Sequence, residues 1–363
     1  MTKIKITHSI TFNIIFRKLK RGGFQMTSMS ILDQSPIEKD ETVRDGISRT
    51  VTLAQLADRL GYKRFFVSEH HNIPEVIGTS PEILVTHLLN QTKDIRIGSG
   101  GIMLQHYSPF KIIEQFHFMS QIAPNRVDLG IGKAPGGFPL ATQTLQSEIK
   151  SPPLAFEEKF QLLNRFNRHD FSKNEDFNNL QTAIRDDEVP RPEVFLLGAS
   201  ENSAILAANE KVGFVFAFFI NSDKEILYKA IHKYKSEYPE GRVIVALAAV
   251  ITDNETERRM VEAGRTNYAL HFEDGRKITV NTKEQLADFK AQSNEQFQVV
   301  AKQTEVLSGS VETVKSKLTQ LNRDGVIDEF MIHMPVVNHA LRVKTVEQLA
   351  PTIQIYNKKV GIV

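Results

Sequence analysis

Short apolar runs alternate along most of the chain with stretches of helical periodicity. An apolar run that ends abruptly in polar or glycine residues predicts a strand buried on both faces, and the break predicts its C-terminal end. Such strands are predicted at residues 29–32, 64–67, 95–98, 127–131, 194–197, 212–218, 243–250 and 329–333. Eight strands with intervening helices predict one parallel TIM (β/α)8 barrel of the α/β class.

Helix-start signals support this alternation. Ser80 and Pro81, and likewise Ser108 and Pro109, pair an N-cap residue with proline at the first helical position. Apolar spacing predicts further helices at residues 43–60, 154–166, 200–209, 224–234 and 311–321.

Three regions depart from the rhythm. Residues 138–187 contain adjacent prolines and a polar stretch, which predicts a lid or an insertion. The stretch from residue 251 to about 308 is polar and is predicted to be largely helical. Residues 1–25 carry six Lys or Arg residues and no acidic residue. They are expected to be a disordered extension or the result of a start assigned too early, with a membrane-touching amphipathic segment as the alternative. No Pro/Gly/Ser-rich linker divides residues 26–363, so one domain is expected.

Composition narrows the class of protein. The chain of 363 residues has no cysteine, which excludes disulfides, iron–sulfur clusters, thiolate zinc sites and a cysteine nucleophile. The absence of cysteine fits a reducing cytosol, so a cytoplasmic location is expected. A formal net charge of +2 argues against nucleic acid as a partner. No apolar run is long enough to span a bilayer.

The candidate chemistry lies where the early strands end. Active sites of parallel barrels form at the carboxyl ends of their strands. The polar and glycine residues at these breaks are Glu69, His70, His71, Gly100, Gly101, Gly132 and Lys133.

The segment SEHH, residues 68–71, is open to several interpretations. Alternation along a strand end places Glu69 and His71 on one side and His70 on the other. Adjacent histidines cannot easily ligate one ion from one strand, so a metal site is disfavoured. A purely structural pair is one alternative. The other is a histidine acting as general acid or base, or as a hydrogen-bond donor to a cofactor, because its pKa lies near working pH.

The glycine-rich strand ends suggest a bound anion. Gly100 and Gly101 permit close approach of the backbone to a ligand, although a simple bulge would also explain them. GIGKAPGG, residues 130–137, matches neither a Walker A loop nor a dinucleotide fingerprint. Lys133 in such a loop suits a phosphate, with a solvated lysine as the alternative. Ser200 predicts a capped helix whose N-terminus is a second potential phosphate site.

Taken in order, these motifs resemble the bacterial luciferase-like flavin monooxygenase family. The resemblance extends from residue 30 to about 350. It is carried by LDQSPI (32–37), RFFVSEHHN (64–72), SPEILV (80–85), IRIGSGGIMLQHYSP (95–109), NRVDLGIGKAPGG (125–137) and LLGAS (196–200). The family is similar to a TIM barrel with inserted excursions, which implies a luciferase-like barrel here.

The resemblance assigns roles to the mouth residues. His70 matches the active-site histidine of luciferase and is the catalytic candidate. Gly100–Gly101 matches the place where the family holds a non-prolyl cis peptide under the flavin ring.

The resemblance also implies a flavin phosphate site. Lys133, after Gly132, stands where the close subgroup usually has an arginine that binds the phosphate. Ser200 matches a serine that also receives the phosphate. Ala199 replaces an acidic residue that acts through its backbone amide.

The function implied is an FMN-dependent monooxygenase that uses reduced FMN and O2 to oxygenate an organic substrate. The chain has no fingerprint for NAD(P)H, so a separate flavin reductase is expected. A deazaflavin-dependent dehydrogenase, a flavin-binding protein without turnover and a metal-dependent hydrolase are the alternatives. The family also implies a homodimer that packs through the helices after the early strands. The apolar residues expected there are Ile83, Leu84, Leu88, Ile112, Ile113 and Phe116.

Overall fold

A computed structural model of the protein describes residues 27–149, 153–173, 175–185, 189–263, 266–280 and 282–351. The predicted N-terminal extension, residues 1–25, lies outside the described residues. The strands are β1 (Ser28–Asp33), β2 (Arg64–Val67), β3 (Arg96–Met103), β4 (Val127–Gly132), β5 (Glu193–Gly198), β6 (Gly213–Ala217), β7 (Val243–Ile251), β8 (Thr266–Phe272), β9 (Lys277–Val280), β10 (Phe297–Gln303), β11 (Val306–Gly309) and β12 (Glu329–His333).

The helices are α1 (Val43–Arg59), α2 (Pro81–Gln91), α3 (Pro109–Ile122), α4 (Pro139–Gln146), α5 (Phe156–Arg168), α6 (Glu201–Asn209), α7 (Lys224–Glu237), α8 (Glu255–Ala263), α9 (Lys283–Gln292), α10 (Val311–Leu321) and α11 (His339–Gln348). Short 3₁₀ turns lie at Leu104–His106 and Asp176–Asn179.

Eight parallel strands close into the predicted TIM barrel. Their order is β1–β2–β3–β4–β5–β6–β7–β12, and β12 pairs back with β1. β11 adds to the sheet by pairing with the end of β7. Seven of the eight predicted strands agree with the observed bounds to within one residue at each end, and β3 is the exception.

The prediction that the third strand ends at Gly98 is wrong, because β3 continues to Met103. The sequence suggests a break since glycines are common at strand ends. In the structure, Gly100 and Gly101 lie within the strand, where the pairing register with β4 shifts between Ser99 and Ile102.

The expectation of a helical stretch after β7 is confirmed only in part. Besides α8 and α9 it contains a separate antiparallel sheet in the order β10–β8–β9. Residues 298–303 of β10 are exposed on both faces, so the strand lacks the apolar alternation that would have revealed it.

Helix ends follow the sequence signals in part. α1 begins with a capping box, in which the Asp45 amide donates to Thr42 Oγ1 at 3.2 Å and the Thr42 amide donates to Asp45 Oδ2 at 2.9 Å. Ser80 and Ser108 occupy the N-cap positions of α2 and α3, but neither side chain makes a capping hydrogen bond. Proline at the first position therefore sets these two helix starts.

The barrel interior is layered. At its N-terminal end the fully buried guanidinium of Arg64 donates to Asp128 at 2.7 Å and to Glu329 at 2.8 Å, and Ser30 donates to Glu329 as well. Above this charged layer lies an apolar one formed by Leu32, Phe66, Phe195, Val215, Ile244, Ala246 and Met331. The apolar layer separates the charged end from the mouth at the C-terminal strand ends.

Candidate active site at the barrel mouth

The strand ends bring the predicted residues to one mouth. Phe66 of β2 belongs to the interior apolar layer, and Ser68 and His70 continue on that side. Ser68 Oγ lies 3.1 Å from His70 Nδ1, whereas Glu69 Oε1 lies 2.6 Å from His71 Nε2. The predicted alternation, with Glu69 and His71 on one side and His70 on the other, is confirmed.

His70 is held at two points and is partly exposed as a residue. Its backbone amide donates to the Gly78 carbonyl at 2.8 Å, and Ser68 orients the ring through Nδ1. Burial lowers the pKa of His70 to about 4, and the nearby charge of Glu69 opposes this effect only in part. The imidazole is therefore neutral at neutral pH, with one ring nitrogen able to donate a proton and the other able to accept one.

Sequence reasoning missed His333, which ends β12 and lies near His70. Its Nδ1 is buried without a hydrogen-bond partner among the described residues, and its ring lies 5.0 Å from that of Phe219. Burial, aided by the charge of Arg342, lowers the pKa of His333 to about 4. The sequence contained a signal for His333, because it is a polar residue at the end of an apolar run, as His70 is.

A buried hydrogen-bond cluster lies behind His70. Glu69 accepts from the Tyr107 hydroxyl at 2.7 Å and from the Met103 amide at 2.8 Å. His106 Nε2 lies 2.7 Å from the carbonyl oxygen of Pro135, in the loop after β4. Burial and the charge of Glu69 raise the pKa of Tyr107.

The glycines of β3 and β4 pack against each other closely. A Cβ on Gly100 would lie 2.7 Å from Leu32 Cδ1, and one on Gly101 would lie 2.8 Å from the Gly130 carbonyl oxygen. A Cβ on Gly132 would lie 3.1 Å from Met103 Cε. The expected cis peptide between Gly100 and Gly101 is present.

Lys133 follows β4 at the rim of the mouth. Its side chain is 61% exposed and its Nζ lies 2.7 Å from Glu157 Oε1, at the start of α5. The ammonium also lies 5.5 Å from the centre of the Phe156 ring. Lys133 is therefore paired with a carboxylate rather than simply solvated.

Ser200 caps α6 as predicted, accepting from the Ser203 amide at 3.3 Å. The two hydroxyls are 3.1 Å apart, so Ser203 joins Ser200 at this helix start. Ala199 links β5 to the helix, and its carbonyl accepts from Asn221 at 3.2 Å. Because β4 and β5 are paired neighbours, this helix start and the Lys133 loop lie at the same edge. Sequence reasoning missed Ser203, although a hydroxyl three residues after a cap lies in the first helical turn.

The helix faces proposed for a dimer contact need correction. Leu88, Ile112, Ile113 and Phe116 are buried in the chain's own core, because α2 and α3 pack against the barrel through them. The exposed apolar residues of these helices include Ile83 at 67%, Phe118 at 62% and Ile122 at 41%.

Among the described residues, no three His, Asp or Glu side chains lie close enough together to hold a metal ion. Two clefts of 310 and 380 Å³ lie at the N-terminal end of the barrel, away from the mouth. Among the same residues no helix is long and apolar enough to cross a membrane.

A closed parallel barrel whose titratable and glycine-rich residues meet at the carboxyl ends of its strands defines a TIM-barrel enzyme. Comparison with known families makes the class specific. Residues 26–328 match the luciferase-like monooxygenases, and the chain belongs to this family. It is therefore a monooxygenase, an oxidoreductase that incorporates oxygen.

The chain is similar to individual relatives and solved structures over most of its length. The chain is 41% identical over 318 residues to the N-acetyl-S-alkylcysteine monooxygenase of Bacillus subtilis (strain 168), covering 86% of this chain and 94% of the relative. The solved structure of apo-MsnO8 aligns with a TM-score of 0.69 and 25% identity over 90% of this chain and 98% of the other. A second solved structure is the oxygenating constituent of 3,6-diketocamphane monooxygenase from Pseudomonas putida, a type II Baeyer–Villiger enzyme, in complex with FMN. It aligns with a TM-score of 0.64 and 18% identity, covering 90% of this chain and 98% of the other.

Proposed function

We propose that the protein is a flavin-dependent monooxygenase that uses reduced FMN and O2 to oxygenate a small organic substrate at the barrel mouth. The observation that carries this proposal is the position of His70 and His333 near each other at the strand ends, above an apolar barrel interior. The buried Nδ1 of His333 lacks a hydrogen-bond partner among the described residues, which suits a ligand with polar edges and an apolar face.

The mouth residues fit FMN. Lys133 and the start of α6 at Ser200 would hold the phosphate, since an ammonium, helix-terminal amides and hydroxyls favour an anion. The backbone of Gly100–Gly101 would lie against the ring. When bound, reduced flavin supplies the electrons with which one oxygen atom enters the substrate and the other becomes water.

The chain's own residues then have defined tasks. Ser68 orients the His70 ring through Nδ1, which leaves Nε2 to give or take a proton at the reacting centre. Leu197 and Phe219 pack on the apolar interior layer and would help to exclude water from the mouth.

We infer a thioether of the N-acetyl-S-alkylcysteine type as the substrate class. The support is the relative of that name, which shares 41% identity over nearly its whole length. The apolar layer below the mouth would suit the S-alkyl group of such a substrate.

The remaining partners are proposals as well. A separate reductase would supply reduced FMN, as suggested by the neighbour described as an oxygenating constituent.

We also propose a cytoplasmic homodimer that packs through Ile83, Phe118 and Ile122, which are exposed on α2 and α3. Light scattering tests the dimer, and a monomer mass at micromolar concentration would contradict it.

The function is tested with purified protein, chemically reduced FMN, isotopically labelled O2 and an N-acetyl-S-alkylcysteine. The expected result is product that carries labelled oxygen. Oxygen consumption without labelled product from any thioether would favour a flavin-binding protein without turnover. A deazaflavin spectrum in the purified protein would favour the dehydrogenase alternative.

A further inference from the structure

Glu69 is a fully buried carboxylate with three hydrogen-bond donors directed at it. Oε1 accepts from the Tyr107 hydroxyl at 2.7 Å and lies 2.6 Å from His71 Nε2, while Oε2 accepts from the Met103 amide at 2.8 Å. An ionised carboxylate has only acceptors, so His71 must carry a proton on Nε2.

The three donors belong to segments that carry the candidate site. Met103 is the last residue of β3, two residues beyond Gly101. Tyr107 follows the 3₁₀ turn after that strand. His71 fixes the loop that begins at Lys133, because its amide donates to the Gly136 carbonyl at 2.8 Å and it forms a β-bridge with Gly137.

His70 itself lies between Glu69 and His71 in the chain. Its ring is therefore placed by the same backbone that the carboxylate anchors. An apolar side chain could fill the space at this position, and it would avoid the cost of burying a charge. The number and geometry of the donors indicate a role beyond packing.

We propose that Glu69 is a positioning residue, whose carboxylate holds the ends of β2, β3 and β4 so that His70, Gly100–Gly101 and Lys133 form one site. It acts through Met103, His71 and Tyr107 and does not contact the substrate. The inference rests on the proposed function only in using flavin-dependent turnover as one readout.

Glu69→Gln is the main test, since it preserves volume and removes the charge. Its amide oxygen can still accept from Met103, but its NH2 group must then face His71, whose proton would move from Nε2 to Nδ1. The turnover number should fall by roughly tenfold to a hundredfold, as expected when reacting groups are misplaced by about 1 Å. The FMN dissociation constant should rise as well, because the Lys133 loop loses its anchor.

Asp128→Asn is the matched control. Asp128 is an equally buried carboxylate that accepts from Arg64 and Arg96 at the opposite end of the barrel. This variant should lower the melting temperature yet keep the wild-type turnover number wherever it is folded. If Asp128→Asn reduced turnover as much as Glu69→Gln, general destabilisation would explain both and the proposal would fail.

The second readout is the tautomer of His71, followed by carbon and nitrogen NMR of the flavin-free protein. We expect a proton on Nε2 in the wild type and on Nδ1 in Glu69→Gln. Wild-type turnover together with an unchanged tautomer in the variant would overturn the proposal. Because this measurement needs no flavin, a wild-type protein without turnover would count against the proposed function alone.

Tyr107→Phe covers the case in which Glu69→Gln does not fold. It removes one of the three donors and leaves the other two in place. A partial loss of turnover, smaller than that of Glu69→Gln wherever both fold, is the expected result. A Tyr107→Phe enzyme with wild-type turnover and FMN affinity would contradict the role assigned to the cluster.

Discussion

The Lys133–Glu157 ion pair allows a sharp test of the proposed cofactor pose. Lys133→Ala should weaken FMN by roughly tenfold to a hundredfold, since a charge-assisted hydrogen bond contributes about 1.5–3 kcal/mol. Riboflavin has no phosphate, so its affinity should hardly change. Lys133→Arg should be neutral or tighter, because a guanidinium can engage two phosphate oxygens.

The structure adds a prediction about Glu157. The ion pair joins side chains that are 61% and 49% exposed, so it contributes at most about 1 kcal/mol. A phosphate would compete with this carboxylate for Lys133. Glu157→Gln should therefore tighten FMN by up to about fivefold and leave riboflavin unchanged.

The assay is equilibrium titration of each variant with both flavins. Lys111→Ala is a matched control, because Lys111 is 63% exposed and paired with Glu114 at 3.1 Å on α3. It should bind both flavins as the wild type does. Equal losses of FMN and riboflavin affinity in Lys133→Ala would mean that the lysine is not at the phosphate, and the pose would have to be abandoned.

Three further predictions concern buried residues of the barrel and of helix α3. His70→Ala should keep its FMN affinity but consume oxygen without oxygenating the substrate, which parallel measurement of oxygen and product would show. The pKa values of His333 and His117 are lowered to about 4, so the folded state binds fewer protons than the unfolded state between about pH 4 and 6.5. The free energy of unfolding should rise with pH across this window, on the order of 3 kcal/mol for each histidine, and be lost on acidification. Urea denaturation at several pH values checks this, and an unchanged pH dependence in His333→Phe would contradict it. Arg64→Met should cost about 3–5 kcal/mol of stability, measured by the same method, because it leaves the buried Glu329 without a cationic partner, whereas Asp128 keeps Arg96.

Seven of the eight barrel strands could be predicted from sequence because each contains a mainly apolar run. A parallel strand buried on both faces has no polar side to obscure its ends. The mouth residues followed from the same signal, since Glu69, His70 and Lys133 are where apolar runs stop. His333 gives that signal too, but as a single residue without a motif around it.

Other features depend on contacts that no local pattern contains. The continuation of β3 through Gly100 and Gly101 depends on the close approach of β4, whereas glycines in the sequence suggest a break. β10 is nearly all exposed and shows no alternation. Glu157 lies 24 residues from Lys133, so their pairing becomes visible only when α5 is placed.

The two regions that depart from the sequence rhythm differ in their relation to the site. α5 packs against α3, with the Phe110 and Phe166 rings 5.2 Å apart, so it is the crossover helix between β4 and β5 rather than a cover. The small sheet is different, because Phe138 enters its apolar core and lies 6.3 Å from Phe289 of α9. Phe138 directly follows the loop that begins at Lys133. His71 and His106 hold this loop at the mouth through hydrogen bonds to its backbone carbonyls. Phe138 therefore connects the small sheet to the same loop that carries the proposed phosphate contact, so the position of this loop depends on packing in the small sheet.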